Sequence, residues 1–258
     1  AIDVSILWPA LAAGLLVTAT HVPLGAQVLA RGIVFIDLAI AQIAGLGVVI
    51  ADAAGVEAHG WAVQIHAFSA ALAGALLLTW TERRWPEVQE AIIGATFVLA
   101  ASAALLLLSA NPHGGEHLRE LLVGQILWVT PGVLAVVGAI YAAMLAAWFS
   151  WGARMGRVGF YVVFAAVVTI SVQLVGLYLV FSTLIVPALA TRRMGPGRLA
   201  WAYAIGGIGY ASGLLVSAMT DSPSGPTIVW MMTAVALVVA AARWLIVRGA
   251  TPARARTG

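Results

Sequence analysis

An aspartate inside an apolar stretch is the residue of this sequence that points most directly to chemistry. Asp37 stands between the apolar segments 33–36 and 38–41. An ionisable side chain in an apolar span is costly, and it usually faces a polar interior or a transport path. A first-row divalent cation prefers several nitrogen or oxygen ligands, and a carboxylate adds the charge that offsets dehydration. Asp37 is therefore predicted to face a polar interior or a transport path, where its carboxylate is a candidate metal ligand. The alternative is a solvated acid at the amino end of a helix, stabilised by the helix dipole.

Gln42 is the next polar residue on the same stretch, and it could add a neutral oxygen ligand. Five residues of helix turn through about 500°, so Gln42 would lie some 140° away from Asp37. One chain would not bring both onto one face, and other helices or a second copy would have to contribute. Gln64, His66 and Gln173 also interrupt apolar runs. For each of these three, an interhelical hydrogen bond is favoured over a ligand role.

A His-x-x-Glu-His string is the second group of candidates, formed by His113, Glu116 and His117. On a helix this string resembles an inverted zinc-protease motif. The two glycines inside it interrupt the helix, so the histidines would not share a face. A cation-attracting outer rim is the functional alternative to an ordinary polar loop, and His59 is a candidate for the same rim.

Composition places these residues in a membrane protein. The 258 residues are 62% hydrophobic and 9% charged, whereas soluble domains are roughly 45–50% apolar. All thirteen basic residues are arginines between apolar runs, which favours a role in topology over nucleic-acid binding. The absence of cysteine excludes thiolate metal sites. The sequence has no lysine and no phosphate-loop motif, so any ATP-hydrolysing enzyme must be a separate polypeptide.

The apolar runs predict an all-α, polytopic membrane protein with a single transmembrane domain over residues 1–258. Nine spans are predicted, at about 4–22, 33–53, 61–80, 90–110, 130–149, 159–175, 177–191, 199–219 and 227–247. His21, beside Pro23, closes the first span and is interpreted as an interfacial anchor. The run 159–191 is divided near Gly176, because about 33 residues at 1.5 Å each exceed one bilayer crossing by about 20 Å.

Arginine placement predicts the orientation, because cytoplasmic loops collect positive charge. With the amino terminus outside and the carboxyl terminus in the cytoplasm, twelve of the thirteen arginines lie on or near the cytoplasmic side, and only Arg119 lies outside. If 159–191 were one span, the arginines at 192–198 would lie opposite those at 154–157. The predicted outer loops are acidic and contain histidines, so a cationic solute would meet them first.

Four segments follow one another in an order that suggests a family. They are residues 21–47 (HVPLGAQVLARGIVFIDLAIAQIAGLG), 90–94 (EAIIG), 121–130 (LLVGQILWVT), and 184–190 (LIVPALA) together with 223–226 (PSGP). Together they resemble the permeases of the zinc, manganese and iron class of ATP-binding-cassette (ABC) importers over nearly the whole chain. The resemblance implies a homodimer in the bacterial cytoplasmic (inner) membrane, surrounded by lipid. It also implies two cytoplasmic ATPase subunits that hold ATP and magnesium, an external solute-binding protein, a transported divalent metal and no cofactor bound by this chain.

The family commonly places Asp and His four residues apart in the second span as metal ligands. Gap-free matching onto Gly47 puts Leu38 and Gln42 at those two positions, with Asp37 one position earlier. Asp37 and Gln42 are therefore the residues assigned to the substrate pathway, and zinc or manganese is the expected ion.

The resemblance further implies that inner segments contact the ATPase. The candidate residues are Arg83, Arg84, Glu87, Arg154 and Arg157. Three other functions stay open: an ABC permease for a non-metal solute, an ATP-independent transporter or channel, and an intramembrane enzyme. The last of these lacks a set of nucleophile, base and orienting group.

Overall fold

The chain folds into a bundle of α-helices. The computed structural model describes residues 4–55, 61–108, 126–151 and 156–249. Within these ranges there is no strand, and the α-helices are α1 (Val4–Arg31), α2 (Ile36–Ala53), α3 (Trp61–Arg84), α4 (Gln89–Leu108), α5 (Pro131–Trp151), α6 (Gly156–Val175), α7 (Leu177–Thr191), α8 (Arg198–Thr220) and α9 (Ser224–Gly249). Each predicted span falls on one helix, which confirms the all-α fold. Seven of these helices are long and apolar enough to cross a membrane, while α4 and α7 contain shorter apolar stretches.

The first helix is longer than predicted. α1 passes the predicted end of span one and continues to Arg31, with Pro9 and Pro23 inside it. A proline removes one backbone donor, but packed membrane helices tolerate this because neighbouring groups satisfy the freed carbonyl. The side chain of His21 is 0% exposed. The interpretation of His21 as an interfacial anchor is therefore wrong, because Pro23 does not end the helix.

Gly176 separates α6 from α7, as predicted. Its φ of 86° and ψ of 161° lie in a region that is open almost only to glycine. The chain reverses direction at Gly176. Two observations near the carboxyl end of α1 show this reversal. The Arg31 guanidinium lies 4.2 Å from the ring centre of Phe160, near the start of α6. Arg192, just after α7, lines a cavity together with Leu29. The start of α6 and the end of α7 therefore lie at the same end of the bundle.

One end of the bundle, which we name the arginine end, collects basic side chains from five helices and one loop. Arg157 Nε lies 3.9 Å from Glu82 Oε2, which joins the start of α6 to the end of α3. Arg243 Nη2 donates a hydrogen bond of 2.9 Å to the carbonyl oxygen of Arg193. The arginines at this end are Arg31, Arg83, Arg84, Arg157, Arg192, Arg193, Arg198 and Arg243. The topology prediction requires them to share one side, and the fold groups them accordingly.

The opposite ends of α3 and α6 are joined by a polar contact. Gln64 Nε2 donates a hydrogen bond to Gln173 Oε1, so the predicted interhelical hydrogen bond is confirmed for both glutamines. His66 behaves differently, because its Nδ1 contacts the Ala62 carbonyl oxygen of its own helix at 2.7 Å. The interhelical interpretation is therefore wrong for His66. The contacts at both ends show that α3 and α6 run antiparallel along their whole length.

Small residues allow the helices to approach closely. α2 packs against α3, α4 and α6, while α1 packs against α7 and α8, and α8 against α9. A Cβ atom on Gly47 would come within 3 Å of Ala70, and one on Gly209 or Gly213 would collide with α9. Such small residues are typical of interfaces between membrane helices. α2 is consequently held on several sides, and this arrangement fixes the position of Asp37.

Candidate transport site

Asp37 lies in the first turn of α2 and is 0% exposed. Neither of its carboxylate oxygens has a hydrogen-bond partner among the described residues. Interfacial water does not reach the side chain in this conformation, so a solvated acid at a helix end does not describe it. The first turn is still the favourable end of the helix dipole for a negative charge. An unpartnered buried carboxylate is otherwise costly, which indicates a role beyond packing.

A second carboxylate lies at the same end of α2, within electrostatic range of the first. Glu90 is in the first turn of α4, and its Oε1 accepts a hydrogen bond of 3.3 Å from the backbone N–H of Phe35, the residue before α2. Its Oε2 is buried and has no hydrogen-bond partner among the described residues. Glu90 is close enough to Asp37 for the two charges to interact. Glu90 was not predicted as a site residue, although an acid that opens an apolar span is a usable signal.

The pair offers oxygen ligands to a cation without forming a closed cage. In the described ranges, no three His, Asp or Glu side chains come together as a metal site. A site with few ligands binds weakly enough to release an ion, and a transport path needs weak, successive contacts. Gln42 is half-buried further along α2 and does not belong to the pair. The pair can therefore contact a passing cation from two helices, α2 and α4.

Four candidate residues belong to the predicted outer rim. His59, His113, Glu116 and His117 lie outside the described residues.

The predicted ATPase contacts meet at the arginine end. Arg83 and Arg84 close α3, and Glu87 lies in the short turn Pro86–Val88 that follows. All three are exposed, and Arg157 is exposed beside them. The Arg157–Glu82 ion pair brings the two predicted segments together, although they are far apart in sequence. Arg154 lies outside the described residues.

A family comparison decides what kind of protein carries this site. The family model described as the ABC 3 transport family matches residues 3–155 and 153–243. The chain belongs to the ABC 3 transport family. This ABC 3 permease also resembles the solved structure of PsaBC from Streptococcus pneumoniae in complex with Fab, with a TM-score of 0.75 and 18% identity over 94% of this chain and 95% of that one. It is similar as well to an inward-facing metal-chelate type ABC transporter, with a TM-score of 0.62 and 15% identity over 94% of this chain and 85% of that one.

The family membership confirms the resemblance inferred from the four segments. The ABC 3 permease is the multi-pass membrane component of an ABC transporter, and ATP hydrolysis belongs to separate subunits. Permeases of this kind work with ATPase subunits and a substrate-binding protein. At 18% and 15% identity, the two solved structures support the fold of this chain.

Proposed function

We propose that this permease imports a divalent first-row metal ion, zinc or manganese, across the bacterial cytoplasmic membrane. It works as a homodimer within the lipid bilayer, and two cytoplasmic ATPase subunits with bound ATP and magnesium drive alternating access. An external binding protein delivers the ion. The observation that carries the proposal is the buried Asp37, whose two oxygens have no hydrogen-bond partner and lie within electrostatic range of the Glu90 carboxylate.

The chemistry of the pair fits a metal ion better than a neutral solute. Two neighbouring carboxylates repel each other in a low-dielectric interior, and a divalent cation turns that repulsion into attraction. Each carboxylate keeps at least one oxygen without a hydrogen-bond partner. These oxygens can replace part of the hydration shell that the ion loses on entering the protein. The ion would thus be bound transiently while α2 and α4 are close, and released when the helices move apart.

Docking of the ATPase is proposed for the exposed residues at the arginine end. Arg83, Arg84, Glu87 and Arg157 belong to two segments that the α3–α6 packing joins into one surface. A movement of the ATPase would act directly on the ends of α3 and α6. Both helices pack against α2, which carries Asp37. The packing therefore offers a mechanical connection from the ATPase to the carboxylate pair.

The test is Asp37→Asn, measured as radioactive zinc and manganese uptake into vesicles that contain the permease with its ATPase and binding protein. We expect uptake of both ions to be abolished, because the amide retains the shape of the side chain and removes its charge. Dimer assembly and ATPase binding should be unchanged. Gln42→Ala should only weaken uptake.

Asp52→Asn is the matched control, since it removes an acid from the other end of α2. This variant should transport normally. Full metal transport by Asp37→Asn would refute the role of Asp37. An unmutated complex that takes up neither ion would refute the metal assignment, and it would leave a non-metal solute as the cargo.

A further inference from the structure

His21 is a buried imidazole half-way through α1. Its side chain is 0% exposed. It precedes Arg31, at the arginine end, by about 15 Å of helix, which is roughly half the thickness of the hydrocarbon core of a bilayer. Asp37 lies in the first turn of α2, just after the arginine-end turn. His21 is therefore deeper in the bundle than the carboxylate pair.

The hydrogen bonds of His21 determine which ring nitrogen is free. Nδ1 lies 3.0 Å from the carbonyl oxygen of Val17 and 3.1 Å from Thr20 Oγ1. Thr20 Oγ1 donates its own hydrogen to the same Val17 oxygen at 3.0 Å. A carbonyl oxygen can only accept, so Nδ1 carries the hydrogen and donates it. In the neutral ring, Nε2 then keeps its lone pair, and it has no hydrogen-bond partner among the described residues.

This arrangement is the one that a metal-ligating histidine needs. Such a residue typically donates one ring N–H to a backbone carbonyl, which fixes the orientation of the ring and leaves the other nitrogen for the metal. A buried acceptor without a partner is uncommon in a folded protein. No other buried histidine occurs in the described part of the chain, and α2 contains no histidine at all.

We propose that Nε2 of His21 is a nitrogen ligand of the transported metal ion, at a second position along the path that is deeper than the Asp37–Glu90 pair. This inference rests on the proposed function and adds a determinant of ion selectivity to it. Imidazole is a ligand that suits zinc, whereas carboxylate oxygens suit manganese. A path that offers both kinds of ligand in succession favours zinc over manganese. His21 would therefore set the ratio of zinc to manganese uptake, while Asp37 is needed for both ions.

The test compares His21→Asn with His66→Asn in vesicles that contain the full complex, with initial uptake rates of zinc and manganese measured in the same preparation. Asparagine keeps a donor for the Val17 carbonyl and removes the nitrogen at the ε position. His66 is the matched control, because its Nδ1 contacts the carbonyl oxygen four residues earlier in the same way while its side chain is exposed. His21→Gln, which places a neutral oxygen near the ε position, is the second variant.

We expect His21→Asn to lower the zinc rate at least tenfold and the manganese rate much less, so that the zinc-to-manganese ratio falls. His21→Gln should show the same change in ratio with a smaller loss of rate. His66→Asn should keep both rates within about twofold of the unmutated complex, as expected for a side chain outside the path. If His21→Asn or His21→Gln assembles and keeps the original ratio, whether both rates are normal or equally reduced, His21 is not a ligand. The Asp37 proposal would survive that result, because the unmutated complex would still transport metal.

Discussion

The two oxygens of Glu90 lie in different surroundings. One oxygen accepts a hydrogen bond from the backbone N–H of Phe35, just before α2, and the other is buried without a hydrogen-bond partner among the described residues. The hydrogen bond to Phe35 needs only an acceptor, whereas the transport role that we propose for Glu90 needs the charge. Substitutions can therefore separate the hydrogen bond from the charge.

Glu90→Gln retains an oxygen for Phe35 and removes the negative charge. We expect the thermal stability of the purified protein to be unchanged, and the rate of metal uptake to fall about tenfold, the equivalent of about 1.4 kcal/mol. Glu90→Ala should in addition lower stability by about 0.5–1.5 kcal/mol, because the hydrogen bond to Phe35 is lost. Uptake by reconstituted vesicles and thermal denaturation in detergent measure the two effects. An unchanged uptake rate in Glu90→Gln would show that its charge has no part in transport.

Single residues were predictable from the sequence when the local composition marked them. Asp37 stands out because it is an acid in an apolar stretch; the structure shows that it is buried, and its part in transport stays a prediction. Glu90 and His21 were not assigned to the site. Their importance depends on which oxygen or nitrogen remains without a partner, and this follows from the packing of α4 on α2 and from the hydrogen bonds within α1. Neither property is visible in the order of the residues.

At the scale of the elements, the break at Gly176 is the feature most sensitive to substitution. Its backbone angles of 86° and 161° are essentially restricted to glycine. We expect Gly176→Ala to destabilise the protein by about 1–3 kcal/mol. In a chain of this size, each kcal/mol lowers the melting temperature by roughly 2–4 °C.

Gly138→Ala is the control for that substitution. A Cβ atom at Gly138 would meet only carbons of the Leu16 side chain, at 3.8 Å and 3.9 Å, which is ordinary contact. Alanine is also the better helix former by about 1 kcal/mol. The melting temperature of Gly138→Ala should therefore be equal to or above that of the unmutated protein. A Gly176→Ala protein that melts as late as this control would contradict the strain assigned to Gly176.

The helices were more predictable than their ends. Every predicted span coincides with a helix, because a membrane helix must satisfy its own backbone groups and must be apolar over a fixed length. The end of α1 was misplaced because proline is a strong helix breaker in water but not in a packed membrane bundle. The division near Gly176 was predicted correctly, since one long span would have separated arginines that the fold brings together.

At the scale of the whole molecule, the arginine end gives the bundle two chemically different ends. Gly195 follows α7 at the arginine end, and Ser222 follows α8 at the other end. The positive-inside rule predicts that the arginine end faces the cytoplasm. We expect Ser222→Cys to react with a membrane-impermeant thiol reagent on intact cells, and Gly195→Cys to react only after permeabilisation.

Both positions accept a cysteine. A Cβ atom on Gly195 would meet nothing within 4 Å, and serine differs from cysteine by a single atom. The chain has no cysteine of its own, so each variant contains one reactive thiol. Labelling of Gly195→Cys but not of Ser222→Cys on intact cells would show that the orientation is opposite to the one predicted.

The one-residue connection between α6 and α7 also has a consequence for biosynthesis. Most neighbouring membrane helices are joined by a loop, which can stay in water until the next helix has left the ribosome. Gly176 provides no such loop, and it is buried, as are its neighbours Val175 and Leu177. Once α6 has crossed the bilayer, α7 cannot stay on the side where the chain is synthesised, because a one-residue connection is too short to cross the membrane. We therefore expect residues 156–191 to enter the membrane as one hairpin.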